Sequence, residues 1–401
     1  MKETFKDLVH YDREYVLPTY SREILLERGQ GSRLWDIYGN EYLDFTTGIS
    51  VCNLGHCHPG VTAAIREQAG KLVHVSNLFY NEHQPRLAKV IAERSGLNGK
   101  VFFGNSGAEA NEGLIKFARR WGHQNGGKYS IICCNHCFHG RTLATLAATA
   151  KLKYREGYAP DMAGFTFVEF NNLSAVEAAI TAETAAVLVE VVQGEGGVNP
   201  ATADFLLGLR QLCDERKLLL LLDEVQCGMG RTGKYFSFQH YDFLPDGFSM
   251  AKALGNGFPM GAFCIQAQYG SLFSSGSHGS TFGGTPLACA AALAVFAALE
   301  EEQILENVQV QSKYFFQRLR ALQQRFPLIK DVRGLGLLVG VEVGTEAIAG
   351  LQKACLQRRL LTLSAGEGVL RLLPPLNVTQ AEIDRACAIL QSALEDCSKA
   401  S

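Results

Sequence analysis

Short apolar runs separated by longer amphipathic stretches constrain the fold of this chain more than any other feature of its sequence. Three of the runs have the composition of strands that are buried on both faces: Tyr129–Cys134, Ala186–Val192 and Leu218–Leu222. Between the last two runs, the apolar residues of the segment 202–217 are spaced as one face of a helix: Phe205, Leu206, Leu209, Leu212 and Cys213. Buried strands that alternate with helices predict βαβ crossovers, and therefore an α/β fold whose large domain has a mostly parallel sheet flanked by helices.

The pattern of apolar and amphipathic segments changes after about residue 300. Long amphipathic segments (301–325 and 379–399) bracket short apolar runs there, which is typical of a smaller α+β unit. We therefore expect a large domain over residues 51–300 and a small domain over residues 301–401, with the N-terminal segment 1–50 packed against the small domain.

Composition and charge favour an enzyme of small molecules over a polymer-binding protein. The 401 residues carry 38 basic and 40 acidic side chains, a formal net charge of −2, so no overall field favours nucleic acid or an anionic membrane. The start of the chain shows no signal-peptide pattern, and the longest apolar stretch, Pro286–Leu299, is shorter than the roughly 20 residues that a membrane helix needs. In the absence of an export signal, the 12 cysteines predict reduced thiols and a cytoplasmic location.

Two motif matches suggest other chemistries, but each lacks a required part. The cluster Cys133–His139 resembles a zinc site, yet no second ligand pair follows at finger-like spacing, so we interpret it as a strand end that runs into a loop. The segment Gly228–Lys234 matches two glycine-rich phosphate motifs, but Tyr235 replaces the Ser or Thr that would bind magnesium, and the residues that follow do not predict a helix. We therefore expect no metal site, and neither an ATPase nor a dehydrogenase.

Polar groups follow three predicted strands at the points where those strands end, and one of the three groups is Gln193–Gly197, after Ala186–Val192. Asp223 comes directly after the leucine run, and Lys252 follows the apolar segment 248–251. Ligands bind beyond the carboxyl ends of the strands in an open parallel sheet, so we expect both side chains to face one site. A lysine in a semi-apolar pocket can act as a nucleophile or base, and a buried carboxylate needs a cation or a donor. Pyridoxal phosphate (PLP) requires such a pair: a lysine for its Schiff base and a carboxylate that keeps its ring nitrogen protonated.

The segment 101–111 predicts an anion site that suits the phosphate group of PLP. Its residues indicate a strand, a glycine turn and a helix start, with Ser106 and Glu109 spaced as in a capping box. Gly107 and Ala108 would leave backbone N–H groups free at the helix N-terminus, where anions bind. An ordinary capped helix has the same pattern, so the segment supports the PLP interpretation without deciding it.

Nine sequence blocks, in order along nearly the whole chain, resemble the class III (fold type I) PLP-dependent aminotransferases. The blocks lie at residues 34–59, 102–119, 138–146, 189–198, 220–233, 250–263, 278–290, 332–343 and 369–379. Within that family the chain is most similar to the acetylornithine aminotransferases. Four residues differ from those usual in the family, and none of the four differences removes a catalytic group: Val191, Cys227, Asn256 and Thr285.

The resemblance implies roles for particular residues of this chain. Lys252 and Asp223 would be the catalytic residues, while PLP would also be held by Ser106, Gly107, Ala108, Phe138, Gln226 and, from the neighbouring subunit of a homodimer, Thr281. The substrates would be bound by Arg141, Arg371, Glu195 and Tyr20, the last together with Arg22. Glu195 would neutralise Arg371 while the amino donor reacts and would swing away for the second carboxylate of 2-oxoglutarate.

The activity that the resemblance implies is PLP-dependent transfer of the δ-amino group of N2-acetylornithine to 2-oxoglutarate. The products would be N-acetylglutamate 5-semialdehyde and glutamate, in arginine biosynthesis. A related aminotransferase acting on succinylornithine, ornithine, 4-aminobutyrate or diaminopelargonate is the alternative. Ile49 favours an acylated ornithine, because relatives that take free ornithine usually carry an aromatic residue near this position.

Overall fold

The computed structural model describes residues 4–400 of the chain. Residues 1–3 and 401, at the outer ends of the predicted first and last segments, lie outside the described residues. The strands are β1 Leu26–Gln30, β2 Arg33–Asp36, β3 Glu41–Asp44, β4 Lys100–Gly104, β5 Ser130–Cys134, β6 Phe165–Val168, β7 Thr184–Glu190, β8 Val192–Gln193, β9 Asn199–Pro200, β10 Leu219–Asp223, β11 Gly247–Met250, β12 Gly261–Ile265, β13 Asp331–Leu335, β14 Leu338–Glu342, β15 Leu360–Leu361, β16 Leu363–Ala365 and β17 Val369–Leu372.

The α-helices cover the segments between and around these strands. They are α1 Phe5–Tyr15, α2 Thr47–Ser50, α3 Pro59–Ala69, α4 His83–Ser95, α5 Gly107–Gln124, α6 Leu143–Ala147, α7 Leu152–Arg155, α8 Leu173–Ala179, α9 Ala203–Arg216, α10 Pro286–Glu301, α11 Ile304–Arg325, α12 Thr345–Gln357 and α13 Gln380–Ala400. Short 3₁₀ helices occur at Ser237–His240, Lys252–Leu254 and Ala267–Leu272.

The central sheet has seven strands in the order β4-β12-β11-β10-β7-β5-β6. Only β12 runs antiparallel to its neighbours, so the predicted mostly parallel sheet is confirmed. Every residue of β7 and β10 is buried, as expected for strands covered by helices on both faces.

The apolar run predicted as one strand at 186–192 is divided between two strands. The first, β7, ends at Glu190, which pairs with Asp223 at the end of β10. After Val191 the chain leaves the central sheet, and β8 forms a separate two-stranded sheet with β9, in which Val192 lies opposite Pro200. Both parts are buried, so the apolar composition carried no signal of the boundary between them.

Helix α9 confirms the predicted helix between these strands and shows why it begins and ends where it does. The Thr202 side chain accepts a hydrogen bond from the Phe205 amide at the N-terminus, and Lys217 adopts the left-handed conformation at the C-terminus. Its five predicted face residues are all buried. The crossover from β7 to β10 therefore packs onto the sheet with its apolar face inward.

The C-terminal part of the chain forms a second, antiparallel sheet in the order β13-β14-β17-β16, accompanied by α11, α12 and α13. The predicted helix at 301–325 begins later than expected, at Ile304, because Gln303 has a positive φ of 51° that separates it from α10. The N-terminal strands join this part of the molecule, since β3 pairs in parallel with β15 in the sheet β1-β2-β3-β15.

Helix α10 contains the longest apolar stretch of the sequence. It is mostly buried and packs against α3 and α4. Over residues 4–400, no helix combines the length and the hydropathy that crossing a bilayer would require.

A buried arginine joins three distant parts of the chain. The side chain of Arg231 is fully buried, and its guanidinium donates to Ser50 Oγ (3.1 Å), to the carbonyls of Leu337 (3.1 Å) and Pro374 (2.6 Å), and to Asn53 Oδ1. These acceptors are all neutral, and burial lowers the pKa of the guanidinium to about 9. Arg231 thus fastens the N-terminal segment and the C-terminal part to the loop that follows β10.

Candidate active site

A cavity of about 440 Å³ opens at the carboxyl end of the central sheet. It is lined by residues that several strands deliver to this edge, as the topology requires. The predicted site residues among them are Ser106, Gly107, Ala108, Phe138, Arg141, Glu195, Asp223, Gln226 and Lys252. Strand ends that are far apart in sequence therefore meet at one cavity.

Asp223 is the best-supported polar group of the cavity. It ends β10, in register with Glu190 on one side and Ser249 on the other, and it is 3% exposed. Its Oδ2 accepts hydrogen bonds from Asn111 Nδ2 (2.7 Å) and His139 Nδ1 (2.8 Å). Its Oδ1 accepts from the backbone amide two residues further along (2.9 Å). These donors hold the buried carboxylate in one orientation.

His139 supplies the positive charge beside this carboxylate. Burial alone would lower the pKa of the imidazole, but negative charge on the Cys137 sulfur and on the Asp223 carboxylate raises it well above the ordinary value for histidine. The imidazole is therefore protonated, and its Nδ1–H donates to Asp223. Its Nε2 is buried and has no hydrogen-bond partner among the described residues.

Glu190 is a second buried carboxyl group in the same cavity. It accepts a hydrogen bond from the Phe138 amide (3.2 Å) and is 6% exposed. Burial raises its pKa well above the ordinary value, and the nearby Asp223 adds to the increase. The raised pKa favours the neutral form of Glu190.

Lys252 follows β11 in a short 3₁₀ turn, with a positive φ of 48° that few non-glycine residues adopt. Burial lowers the pKa of its ammonium group. Among the nearby charged groups, the carboxylate of Glu195 raises this pKa and the guanidinium of Arg371 lowers it. A lowered pKa increases the fraction of neutral amine, which is the form that attacks a carbonyl carbon or accepts a proton.

The start of α5 forms an anion cradle. Ser106 Oγ accepts a hydrogen bond from the Glu109 amide (3.1 Å), which confirms the predicted cap. The Glu109 carboxylate reaches one residue further back than a capping box does and accepts from the Asn105 amide (2.5 Å). A Cβ at Gly107 would lie 2.8 Å from a methyl group of Val225, so only glycine lets the helix start approach the end of β10 this closely.

Arg371, on β17, lies behind the wall of the cavity and is 2% exposed. Its Nη1 forms an ion pair with Glu195 Oε1 (2.7 Å) and donates to Gln226 Oε1 (3.0 Å), while its Nε has no partner among the described residues. Burial would raise the pKa of Glu195, but Arg371 lowers it below the ordinary value. The pair is therefore charged, and Glu195 covers an arginine that retains unused hydrogen-bonding capacity.

The comparisons with known proteins agree on one family. The sequence model described as "Aminotransferase class-III" matches residues 16–394. The acetylornithine aminotransferase of Caldanaerobacter subterraneus subsp. tengcongensis is 47% identical over 392 residues, covering 97% of this chain and 99% of that protein. This chain is a class III aminotransferase.

Solved structures of the family share its fold. The N-acetylornithine aminotransferase of Stenotrophomonas maltophilia K279a superposes with a TM-score of 0.84 at 38% identity, over 98% of this chain and 99% of that one. An ornithine aminotransferase of Toxoplasma gondii, described as having partial occupancy of PLP at its active site, superposes with a TM-score of 0.93 at 32% identity, over 99% and 96% of the two chains.

The cofactor of this class III aminotransferase is PLP, and the cavity fits it. The fixed carboxylate of Asp223 suits a pyridinium N–H, and the amides of Gly107 and Ala108, in the first turn of α5, suit a phosphate group. Lys252 reaches the same cavity. Acceptor, anion cradle and amine are the three features that this cofactor needs.

Besides Arg371, which lies behind the wall, the predicted site residues Thr281 and Tyr20 do not line this cavity in the single chain. Thr281 is exposed, in a loop that is fixed by hydrogen bonds from Asn77 to the carbonyls of Ser280 (3.0 Å) and Gly283 (2.9 Å). Tyr20 is 75% exposed and lies beside α1, where its neighbour Arg22 pairs with Asp12 (2.9 Å).

Sequence reasoning overlooked three residues that the structure brings to the site. They are Asn111, His139 and Glu190. Asn111 lies five residues after Ser106, on the side of α5 that faces the sheet, and a buried asparagine in an apolar helix face was the available signal. His139 was considered only as a possible zinc ligand, although its neighbour Cys137 is indeed a buried residue that follows a strand end.

Proposed function

We propose that this aminotransferase transfers the δ-amino group of N2-acetylornithine to 2-oxoglutarate, giving N-acetylglutamate 5-semialdehyde and glutamate, in arginine biosynthesis. The observation that carries the proposal is the Glu195–Arg371 ion pair at the cavity wall (2.7 Å). A covered arginine suits an enzyme whose two amino-group partners differ by one carboxylate. The acetylornithine aminotransferases that are 44–48% identical to this chain support the choice of donor.

PLP, when bound, draws electrons from the substrate carbon that carries the amino group and so makes its proton removable. Lys252 is proposed to hold the cofactor and to carry that proton, a role that its lowered pKa favours. Asp223 is proposed to keep the ring nitrogen protonated, and Gln226 to contact the ring oxygen. Phe138 is proposed to cover one face of the ring.

The carboxylates of the substrates are assigned to two arginines. Arg141 lines the cavity and is proposed to bind the carboxylate of the amino donor. Arg371 is proposed to bind the second carboxylate of 2-oxoglutarate after the Glu195 side chain turns away. Only the side chain of Glu195 is proposed to move. Its backbone is held in place, because its carbonyl accepts hydrogen bonds from the amide of Gly366 (2.9 Å) and from Lys151 Nζ (3.4 Å).

The proposal also covers the subunit arrangement and the location of the enzyme. Ser106, Gly107 and Ala108 would bind the phosphate together with Thr281 of the neighbouring subunit, so the active unit would be a homodimer. Tyr20 would contact the donor only if the N-terminal segment moves towards the cavity. A cytoplasmic location is supported by the lack of disulfide bonds among the cysteines of residues 4–400.

An aminotransferase with another donor is the alternative: succinylornithine, ornithine, 4-aminobutyrate or diaminopelargonate. The ornithine aminotransferase structures keep free ornithine under consideration, since one of them superposes with a TM-score of 0.95. Ile49 favours the acylated donor, because relatives that take free ornithine usually carry an aromatic residue near this position.

A single-turnover experiment tests the proposal. PLP-loaded enzyme is mixed separately with each of the five amines, and loss of the visible absorbance of the lysine-bound cofactor is followed, then its return with 2-oxoglutarate. We expect the fastest loss with N2-acetylornithine. In Lys252→Ala, the rate of glutamate formation from N2-acetylornithine and 2-oxoglutarate should fall about a thousandfold or more. Conversion with another amine alone would reassign the donor, and near-normal turnover by Lys252→Ala would refute the role of the lysine.

A further inference from the structure

The guanidinium of Arg141 is held by aromatic rings. Its Cζ lies 3.4 Å from the ring centroid of Tyr154 and 5.3 Å from that of Phe138. The two rings are 6.1 Å apart and nearly perpendicular, at 88°. Across residues 4–400, Arg141 makes no hydrogen bond and no ion pair with its side chain, so these rings alone direct its N–H groups.

Stacking of this kind leaves the arginine free to bind a carboxylate. A guanidinium is planar, and a ring that covers its face does not compete for the N–H groups along its edge, which can meet a carboxylate bidentately. A long side chain without such support would sample many rotamers and lose that freedom on binding. The ring therefore prepares the arginine for its ligand.

Tyr154 contacts Arg141 and does not itself line the cavity. It lies in α7, is half-buried, and is not among the residues that line the cavity. Its ring also has Lys151 Nζ at 5.2 Å from the centroid. Its hydroxyl makes no hydrogen bond to any described residue, so the ring face is the part of the side chain in use.

We propose that Tyr154 is a positioning residue that holds the guanidinium of Arg141 where it can bind the donor carboxylate. Tyr154 thereby sets the preference for amines that carry a carboxylate. The inference rests on the proposed function, because it takes Arg141 as the arginine that binds this carboxylate.

The test compares Tyr154→Leu with Tyr154→Phe. Loss of the ring should raise KM for N2-acetylornithine about three- to tenfold with kcat changed less than about twofold, because the lost stacking acts on binding. The KM for N-acetylputrescine, the same amine without the carboxylate, should not change. Tyr154→Phe keeps the ring and should retain the wild-type KM. Tyr158→Leu, the same change at an exposed tyrosine nearby, is the matched control.

A double-mutant cycle with Arg141→Gln separates the two ideas. If Arg141→Gln leaves KM for N2-acetylornithine unchanged, the proposed role of Arg141 fails, and the inference fails with it. If Arg141→Gln raises KM while Tyr154→Leu does not, only the inference fails. An equal effect of Tyr154→Leu with and without Arg141 would also overturn the inference, because Tyr154 would then act elsewhere.

A second variant tests the inference if Tyr154→Leu folds poorly. In Tyr154→His, protonation of the ring below about pH 6.5 would place a cation against Arg141. The KM for N2-acetylornithine, relative to wild type, should then rise as the pH falls through that value. A ratio of KM values independent of pH would overturn the inference.

Discussion

Asp223 is surrounded by donors of different kinds, and the difference matters for the cofactor. Asn111 contributes a neutral amide, whereas His139 contributes a full charge, because its pKa is raised well above the ordinary value. A charged donor stabilises a buried carboxylate more than a neutral donor does. An ionised carboxylate is what a pyridinium ring nitrogen requires.

We predict that His139→Asn weakens PLP binding about tenfold or more, because a charged hydrogen bond to a buried carboxylate contributes about 1.5–3 kcal/mol. The dissociation constant is measured by titrating cofactor-free enzyme with PLP and following the visible absorbance. His136→Asn is the matched control, since His136 is exposed and has a positive φ of 65° that asparagine tolerates. Equal binding by the two variants would contradict the role given to His139.

At the scale of an element, the end of β10 is joined to the 3₁₀ helix Ser237–His240 by Glu224. Its carboxylate accepts from the Ser237 amide (2.8 Å), the Ser237 hydroxyl (2.5 Å) and the Phe238 amide (3.0 Å). Burial nevertheless raises the pKa of Glu224 to about 7, because these hydrogen bonds offset only part of the desolvation.

This raised pKa predicts a pH dependence of stability. Between about pH 4.5 and about pH 7 the folded state retains a proton that the unfolded state has released, so the free energy of unfolding should fall as the pH rises through this range. Glu224→Gln cannot release a proton and should flatten the decline, by on the order of a few kcal/mol in total. Tm measured from pH 5 to pH 8 checks this, with exposed Glu215→Gln as the control. Parallel curves for wild type and Glu224→Gln would refute it.

Much of the element structure follows from local sequence rules. The helix face of α9, its cap at Thr202 and the cap of α5 at Ser106 depend on residues within a few positions of one another. The strand ends at Asp223 and Lys252 were also predictable, because a polar residue directly after a buried run marks the edge of a sheet.

Other features depend on contacts between distant segments and leave no local signal. The division of the run 186–192 depends on the pairing of Val192 with Pro200, and the raised pKa of Glu190 depends on its burial and on Asp223 in the neighbouring strand. The shielding of Arg371 by Glu195 was expected from the family resemblance alone, since the two residues are far apart in the sequence.

At the scale of the whole molecule, the proposed role of Thr281 implies an active site that is shared between two subunits. We expect Thr281→Asp to lose activity by repelling the cofactor phosphate, and Lys252→Ala to be inactive. Mixed and reassociated, the two variants should recover about a quarter of wild-type activity, because half of the dimers would be hybrids with one intact site. Activity is measured against each variant reassociated alone. No recovery in proven hybrids would mean that Thr281 does not act across the subunit boundary.

The proposed division into a large domain (51–300) and a small domain (301–401) is crossed by the N-terminal segment. Strand β3 of that segment pairs with β15 from the C-terminal part. Arg231 adds a second connection, through the carbonyls of Leu337 and Pro374. Movement of the small domain relative to the large one would therefore involve the N-terminal segment as well.

The acceptors of Arg231 also set a condition on how the chain is made. Pro374 is synthesised about 320 residues after Ser50 and Asn53. Until then, the guanidinium has only part of its hydrogen bonds and must remain hydrated, because an arginine without its full set of acceptors is costly to bury. Closure of the interior around Arg231 is therefore a late event, and a nascent chain that stalls before residue 374 keeps this region open to water and to chaperones.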